Sequence, residues 1–148
     1  MPGDIAYLDA SALVKRYVAE PGTEAVQTLL ARVAVTGTAA ITQVEVAAAL
    51  AKAVRMGVLP RDEAASALER FLTEWQALER LQVTEPVLSQ ASDLAWEKGL
   101  RGYDATHLAA ALIWQELLGA PVLLATFDRQ LWEAAQTAGL AVWPDALS

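Results

Sequence analysis

Apolar positions along the chain follow two alternating patterns. Short aliphatic and β-branched runs, bounded by turn formers, alternate with longer stretches whose apolar residues recur every three or four positions. The run DIAYL predicts a first strand over 4–8. From 10 to 20, Leu13, Val14, Tyr17 and Val18 share one helical face until Pro21-Gly22 breaks the pattern. A second helix is expected over 23–32, a strand over 33–36, and an alanine-rich helix over 38–56 that stops at Gly57. Pro60 suits the first turn of the next helix, which runs to about residue 78, and Asp62 and Glu63 suit its positive end. A third strand over 81–84 precedes a helix opened by Pro86 and ended by Gly99. A very apolar helix over 103–118 ends at Gly119, and the run at 121–125 reads as a strand buried on both faces. A last helix over 129–138 and a short strand over 140–143 complete the pattern.

Strands separated by helices imply right-handed crossovers and a parallel sheet covered on both faces. The expected fold is α/β, one domain over 1–148, with about five parallel strands and helices on each side. No repeat, low-complexity segment or linker interrupts it. In such sheets ligands bind beyond the carboxyl ends of the strands. That rule singles out the ends of the first and fourth strands, which carry Asp9 and the segment Thr126-Phe127-Asp128.

Composition narrows the chemistry. A chain of 148 residues with 55% apolar content can bury one substantial core. The absence of cysteine removes thiol nucleophiles, disulfides and zinc-thiolate sites, and one histidine cannot build a multi-histidine metal centre. A metal would have to be held by carboxylates, which favours magnesium or manganese. The net charge of −7 argues against a simple nucleic-acid coat protein, whose footprint is basic. The basic residues do not gather around the acids beyond chance, so no basic groove follows from the sequence. The N-terminal segment has no signal-peptide pattern and no apolar run is long enough to span a bilayer, so the expectation is a soluble, cytoplasmic protein.

Four acids stand where a site is expected, and each has a plain structural explanation beside the functional one. Asp9, directly after the first strand, and Ser11, two positions on, are both good helix caps. Asp128 and Thr126 have the same explanation, although the threonine hydroxyl can also orient a neighbouring carboxylate. Glu45 lies in the apolar segment ITQVEVAAALA, on a stripe with Thr42, Ala49 and Lys52, and loosely faces Lys52. Asp104 occupies the first turn of its helix, where an acid suits the dipole. His107, one turn further, reads as a packed, hydrogen-bonded residue rather than a catalyst. Singly these positions say little. Four acids at element starts around one sheet edge match what metal-assisted phosphodiester hydrolysis requires, since carboxylates hold the cations that activate water and stabilise the leaving oxygen. A non-enzymatic binding module, in which all four acids are caps or solvated side chains, is the competing account.

With those residues in place, the chain resembles the PIN-domain ribonucleases, particularly the VapC toxins of toxin–antitoxin pairs. The opening YLDASALVKRYVAEPG is similar to the family's first motif, with Asp9 as its first acid and Ser11 as its hydroxyl. ITQVEVAAALAKA is similar to the second, placing an acid at Glu45, and LRGYDATHLAAAL to the third, with Asp104. LLATFDRQLWEAAQTAGLAVW is similar to the closing motif, in which Thr126 and Asp128 match the hydroxyl and the fourth acid. The resemblance implies magnesium- or manganese-dependent cleavage of RNA, a homodimer, and a small antitoxin whose tail fills the active-site groove. A housekeeping RNA-processing nuclease would share these motifs. A haloacid-dehalogenase-type phosphotransferase would want a second aspartate where Ser11 stands. A receiver domain would want a late lysine, and none follows Lys98.

Overall fold

The computed structural model describes residues 4–147. Five strands form one parallel sheet: β1 (Ile5–Leu8), β2 (Val35–Ala39), β3 (Glu79–Leu81), β4 (Leu123–Ala125) and β5 (Ala141–Trp143). Seven α-helices connect or flank them: α1 (Ala10–Leu13), α2 (Thr23–Arg32), α3 (Thr42–Arg55), α4 (Arg61–Glu74), α5 (Glu85–Lys98), α6 (Gly102–Leu118) and α7 (Arg129–Thr137). The sheet order is β3-β2-β1-β4-β5, so the first strand is the central one. The chain builds outward on one side of β1, then crosses back to build the other. The switch point lies between β1 and β4, which pair in the register Ala6↔Leu123, Tyr7↔Leu124 and Leu8↔Ala125.

Side-chain alternation along the central strands divides the core in two. Ala6, Leu8, Leu123 and Ala125 face a layer built from α1 to α4, with Val46, Leu50, Phe71 and Trp75. Tyr7 and Leu124 face the opposite layer, where Leu108, Ala111 and Trp114 of α6 and Leu131 of α7 pack. Trp114 lies so close to β2 that a Cβ on Gly37 would stand 2.5 Å from its ring, so only glycine fits there. The two sheet faces thus absorb most of the apolar surface of α6. Leu117 and Leu118, at its end, remain exposed.

Several boundaries differ from the expected ones. The helix expected over 10–20 is α-helical only to Leu13 and continues as a 3₁₀ turn, Val14–Arg16. Tyr17 leaves the helix because its ring is buried against Phe71 and its carbonyl accepts from Arg70 Nη2 at 2.7 Å. β2 extends to Ala39, so α3 begins at Thr42 rather than at 38. Thr38 and Ala39 pair with β3, and the Thr38 hydroxyl donates to the Leu8 carbonyl at 2.6 Å. Pairing to a second strand outweighs the weak helical preference of this stretch. β3 lies two residues before the expected run. It is an edge strand whose Glu79 and Arg80 are exposed, so it carries no apolar signature.

Candidate active site

The carboxyl ends of β1 and β4 define the floor of the site. Asp9 follows Leu8, and its backbone N–H donates to the Ala125 carbonyl at 3.3 Å, which continues the ladder one step beyond the strand. Its side chain turns inward and is 5% exposed. One oxygen, Oδ1, accepts from the Ser11 hydroxyl at 2.7 Å and from the Ala12 N–H at 3.1 Å. The other, Oδ2, accepts from the Thr126 hydroxyl at 2.7 Å. Asp9 is therefore the N-cap of α1 and also the centre of a hydroxyl cradle from two separate segments. Burial pushes its pKa up, against the opposing pull of His107 and these three donors.

Ser11 and Thr126 each hold a second bond that fixes them. The Phe127 N–H donates to Ser11 Oγ at 2.9 Å, and the Asp128 N–H donates to Thr126 Oγ1 at 3.0 Å. Each hydroxyl has one proton, and both protons point at Asp9. The 3.2 Å approach of the two hydroxyl oxygens therefore has no proton to share while Asp9 is ionised.

Asp104 lies in the first turn of α6 and is 1% exposed. Its Oδ2 accepts from Arg101 Nε at 2.8 Å. The same guanidinium reaches Asp128 Oδ2 through Nη2 and lies 4.8 Å from the Tyr103 ring centroid. Burial raises the Asp104 pKa, Arg101 opposes that rise, and Asp128 and Asp9 add to it by repulsion. Asp128 itself caps α7, its Oδ1 accepting from the Leu131 N–H at 3.2 Å. The cap explanation and the cluster explanation thus hold for the same side chains.

Glu45 departs from its expected environment. It turns away from the solvated stripe with Lys52, and its Oε1 meets His107 Nε2 at 2.6 Å. The other ring nitrogen, Nδ1, meets the Tyr7 hydroxyl at 2.6 Å. His107 is packed and hydrogen-bonded, as its sequence context suggests, yet its partner is one of the four acids. Burial lowers the His107 pKa. The bond to Glu45 and the charges of Asp9, Glu45 and Asp104 outweigh that effect and raise it.

The structure therefore links Asp9, Ser11, Thr126 and Asp128 by direct hydrogen bonds, joins Asp104 to Asp128 through Arg101, and ties Glu45 in through His107 and Tyr7. Sequence reading missed Arg101, His107 and Tyr7 as parts of this network. A spacing signal existed for each: Arg101 and His107 stand three positions either side of Asp104, and Tyr7 two positions before Asp9. Among the described residues, no group of three or more His, Asp or Glu side chains is arranged to close on one ion. No helix among them is long and apolar enough to cross a membrane.

A parallel sheet with acids gathered at the ends of β1 and β4 defines a class, and the sequence comparisons agree with it. Residues 6–136 match the PIN domain family, and the chain belongs to that family. It is 35% identical over 144 residues to ribonuclease VapC45 of Mycobacterium tuberculosis, covering 97% of each chain. It is 36% identical over 126 residues to ribonuclease VapC3 of Pyrobaculum aerophilum, covering 85% of this chain and 91% of that one. In fold it is similar to a toxin–antitoxin complex from Klebsiella pneumoniae, with a TM-score of 0.64 and 17% identity, covering 97% of this chain and 99% of that one.

Proposed function

We propose that this chain is a divalent-metal-dependent endoribonuclease and the toxin of a toxin–antitoxin pair, acting as one domain over 1–148 in the cytoplasm. The observation that carries the reading is the convergence of Asp9, Asp104 and Asp128 at the β1–β4 switch point. It occurs in a chain similar over nearly its whole length to proteins named ribonuclease VapC.

The donor set suits a hard cation. Magnesium is commonly held by one or two carboxylates and keeps several waters, so three protein ligands on one ion are not required. Asp9 has three of roughly four carboxylate lone-pair sites taken, which leaves one open. Arg101 takes Asp104 Oδ2, and among the described residues no donor is hydrogen-bonded to Asp104 Oδ1. Asp9 and Asp104 would hold the ion, with Glu45 and Asp128 completing its surroundings directly or through water. A bound magnesium or manganese would supply an activated water and stabilise the leaving oxygen. The chain's own residues position the acids: Ser11 and Thr126 fix the Asp9 carboxylate plane, and Arg101 offsets the charge of Asp104 and Asp128.

An antitoxin fits the same chemistry. Arg101 already spans Asp104 and Asp128 within the chain. An arginine or lysine from a partner's tail would be attracted to the same acids, and a guanidinium pairs with two carboxylate oxygens at once. Trp96, 90% exposed on α5, and Leu117, 78% exposed on α6, offer apolar surface to a second copy in a homodimer.

Growth arrest and RNA cleavage test the reading together. Expression of the chain alone is expected to arrest growth with fragmented RNA, while Asp9→Asn at equal protein level does not. Co-expression of a small neighbouring partner is expected to restore growth. If both forms are harmless and the pure chain cleaves no RNA, the reading fails. If it cleaves RNA without arrest, a housekeeping nuclease is the better account. Light scattering at tens of micromolar reports the dimer.

A further inference from the structure

We propose that His107 is a positioning residue for Glu45 and is itself braced by Tyr7. This rests on the reading that Glu45 serves the nuclease site. His107 is 1% exposed on α6 and bonded at both ring nitrogens. Its partners belong to two other elements that carry site acids: Tyr7 lies on β1 two residues before Asp9, and Glu45 lies in the first turn of α3. The chain Tyr7–His107–Glu45 thus ties β1, α6 and α3 together at one point, one helical turn from Asp104.

Charge decides which way the hydrogen bonds run. Nε2 faces a carboxylate, so a bare lone pair there would repel it. The proton therefore sits on Nε2 and donates to Glu45 Oε1, whether the ring is neutral or charged. In the neutral ring, Nδ1 is then the acceptor, and the Tyr7 hydroxyl supplies its proton. Tyr7 is fully buried and held far from ionisation by that burial and by Asp9 and Glu45, so it keeps its proton to give. The Tyr7 and His107 rings meet edge to face at 5.8 Å, which fixes the ring plane as well as its hydrogen bonds. Glu45 is a flexible side chain near the start of a helix. Without His107 it would spread over several rotamers and face the solvated stripe shared with Lys52. Groups that orient a metal-binding carboxylate typically change ion affinity by 10- to 100-fold when removed.

Magnesium and manganese titrations by calorimetry on the folded protein test this. The expected result for His107→Leu is an ion affinity lowered by about tenfold. His107→Gln, whose amide N–H can still reach Glu45, is expected to recover most of it. In a Glu45→Gln background, His107→Leu is expected to have no further effect, because its action runs through Glu45. Tyr7→Phe leaves the ring in place and loosens it, so a smaller loss in the same direction is expected, and it serves if the leucine variant does not fold. The chain has one histidine, so its imidazole nitrogens give a single set of NMR signals. Magnesium is expected to shift the Nε2 signal in wild type and not in Glu45→Gln. Equal losses in the wild-type and Glu45→Gln backgrounds, or an Nε2 signal indifferent to saturating magnesium, would overturn the proposal while leaving the nuclease reading intact. A wild-type protein that binds neither ion would overturn both.

Discussion

Asp9→Asn separates catalysis from folding more cleanly than any other change in this site. The substitution keeps the shape and the capping of α1, since asparagine and aspartate cap about equally well. With the asparagine oxygen in the Oδ1 position, the bonds from Ser11 and Ala12 survive. The new NH₂ then faces the Thr126 hydroxyl, which must stop donating to it. Thr126 can instead turn its proton to Ser11 Oγ, 3.2 Å away, while still accepting from the Asp128 N–H. The amide N–H now donates to the second lone pair of Thr126 Oγ1, so what is lost is the charge of one acceptor, at most the ~1.5–3 kcal/mol of a charged hydrogen bond. Against that stands the removal of a carboxylate whose charged form is disfavoured by burial, which raises its pKa. The two effects oppose, so stability in chelator at pH 7 is expected within about 1 kcal/mol of wild type. Catalysis has no such compensation, because a neutral amide cannot hold a divalent ion as a carboxylate does. RNA cleavage is expected to fall at least about a hundredfold, ~3 kcal/mol of transition-state stabilisation. Thermal melts in chelator and single-turnover cleavage at saturating magnesium measure the two sides. Cleavage within about threefold of wild type would refute the role given to Asp9, and loss of the fold would refute the compensation argued for its cradle.

Three further outcomes are expected. Melting temperature should rise with free magnesium or manganese as RT ln(1 + [L]/Kd) at matched ionic strength, with smaller shifts in Glu45→Gln and Asp128→Asn; a melt indifferent to metal counts against the cluster. Arg101→Gln removes the guanidinium spanning Asp104 and Asp128, so calorimetry should find tighter magnesium binding and melts should find a weaker metal-free protein; unchanged affinity would show that the guanidinium does not compete. In chelator, stability should fall between pH 5 and pH 8. Asp9, Asp104 and His107 all have raised folded pKa values, so their contribution is full below the ordinary values of 3.8 and 6.5 and is lost as pH climbs through the folded ones. Glu74, lowered by Arg16 from 4.5, acts oppositely but is already ionised throughout that window. A melting temperature that rises from pH 5 to pH 8 refutes the assignment.

The sheet was legible because buried parallel strands and their crossover helices leave strong periodic signals. The 103–118 helix matches α6 almost residue for residue, the 121–125 run overlaps β4 at its last three positions, and the rule about strand ends leads straight to Asp9 and Thr126. β3 was misplaced because an exposed edge strand has no pattern to read. The start of α3 was misplaced because pairing of Thr38 and Ala39 to β3 is not encoded locally. In the site, each acid was visible as a residue type and Ser11 and Thr126 as its hydroxyls, but the partners of Glu45 and Asp104 were not. Glu45 was matched with Lys52, its helical neighbour, whereas the structure gives it His107 from 62 positions away. Contacts that cross between elements depend on how helices settle on the sheet, and a single sequence does not display that.

The position of β1 has a consequence for when this protein becomes active. Its first strand is synthesised first and ends in the middle of the sheet, where Ala6 to Leu8 await Leu123 to Ala125. Until those residues emerge, Asp9 lacks the Thr126 hydroxyl, and Asp128 does not yet share Arg101 with Asp104. A nascent chain therefore carries Asp9, Glu45 and Asp104 without the fourth acid or the pocket. A chain ending before β4 lacks Thr126 and Asp128, and leaves Asp9 and Asp104 without those partners.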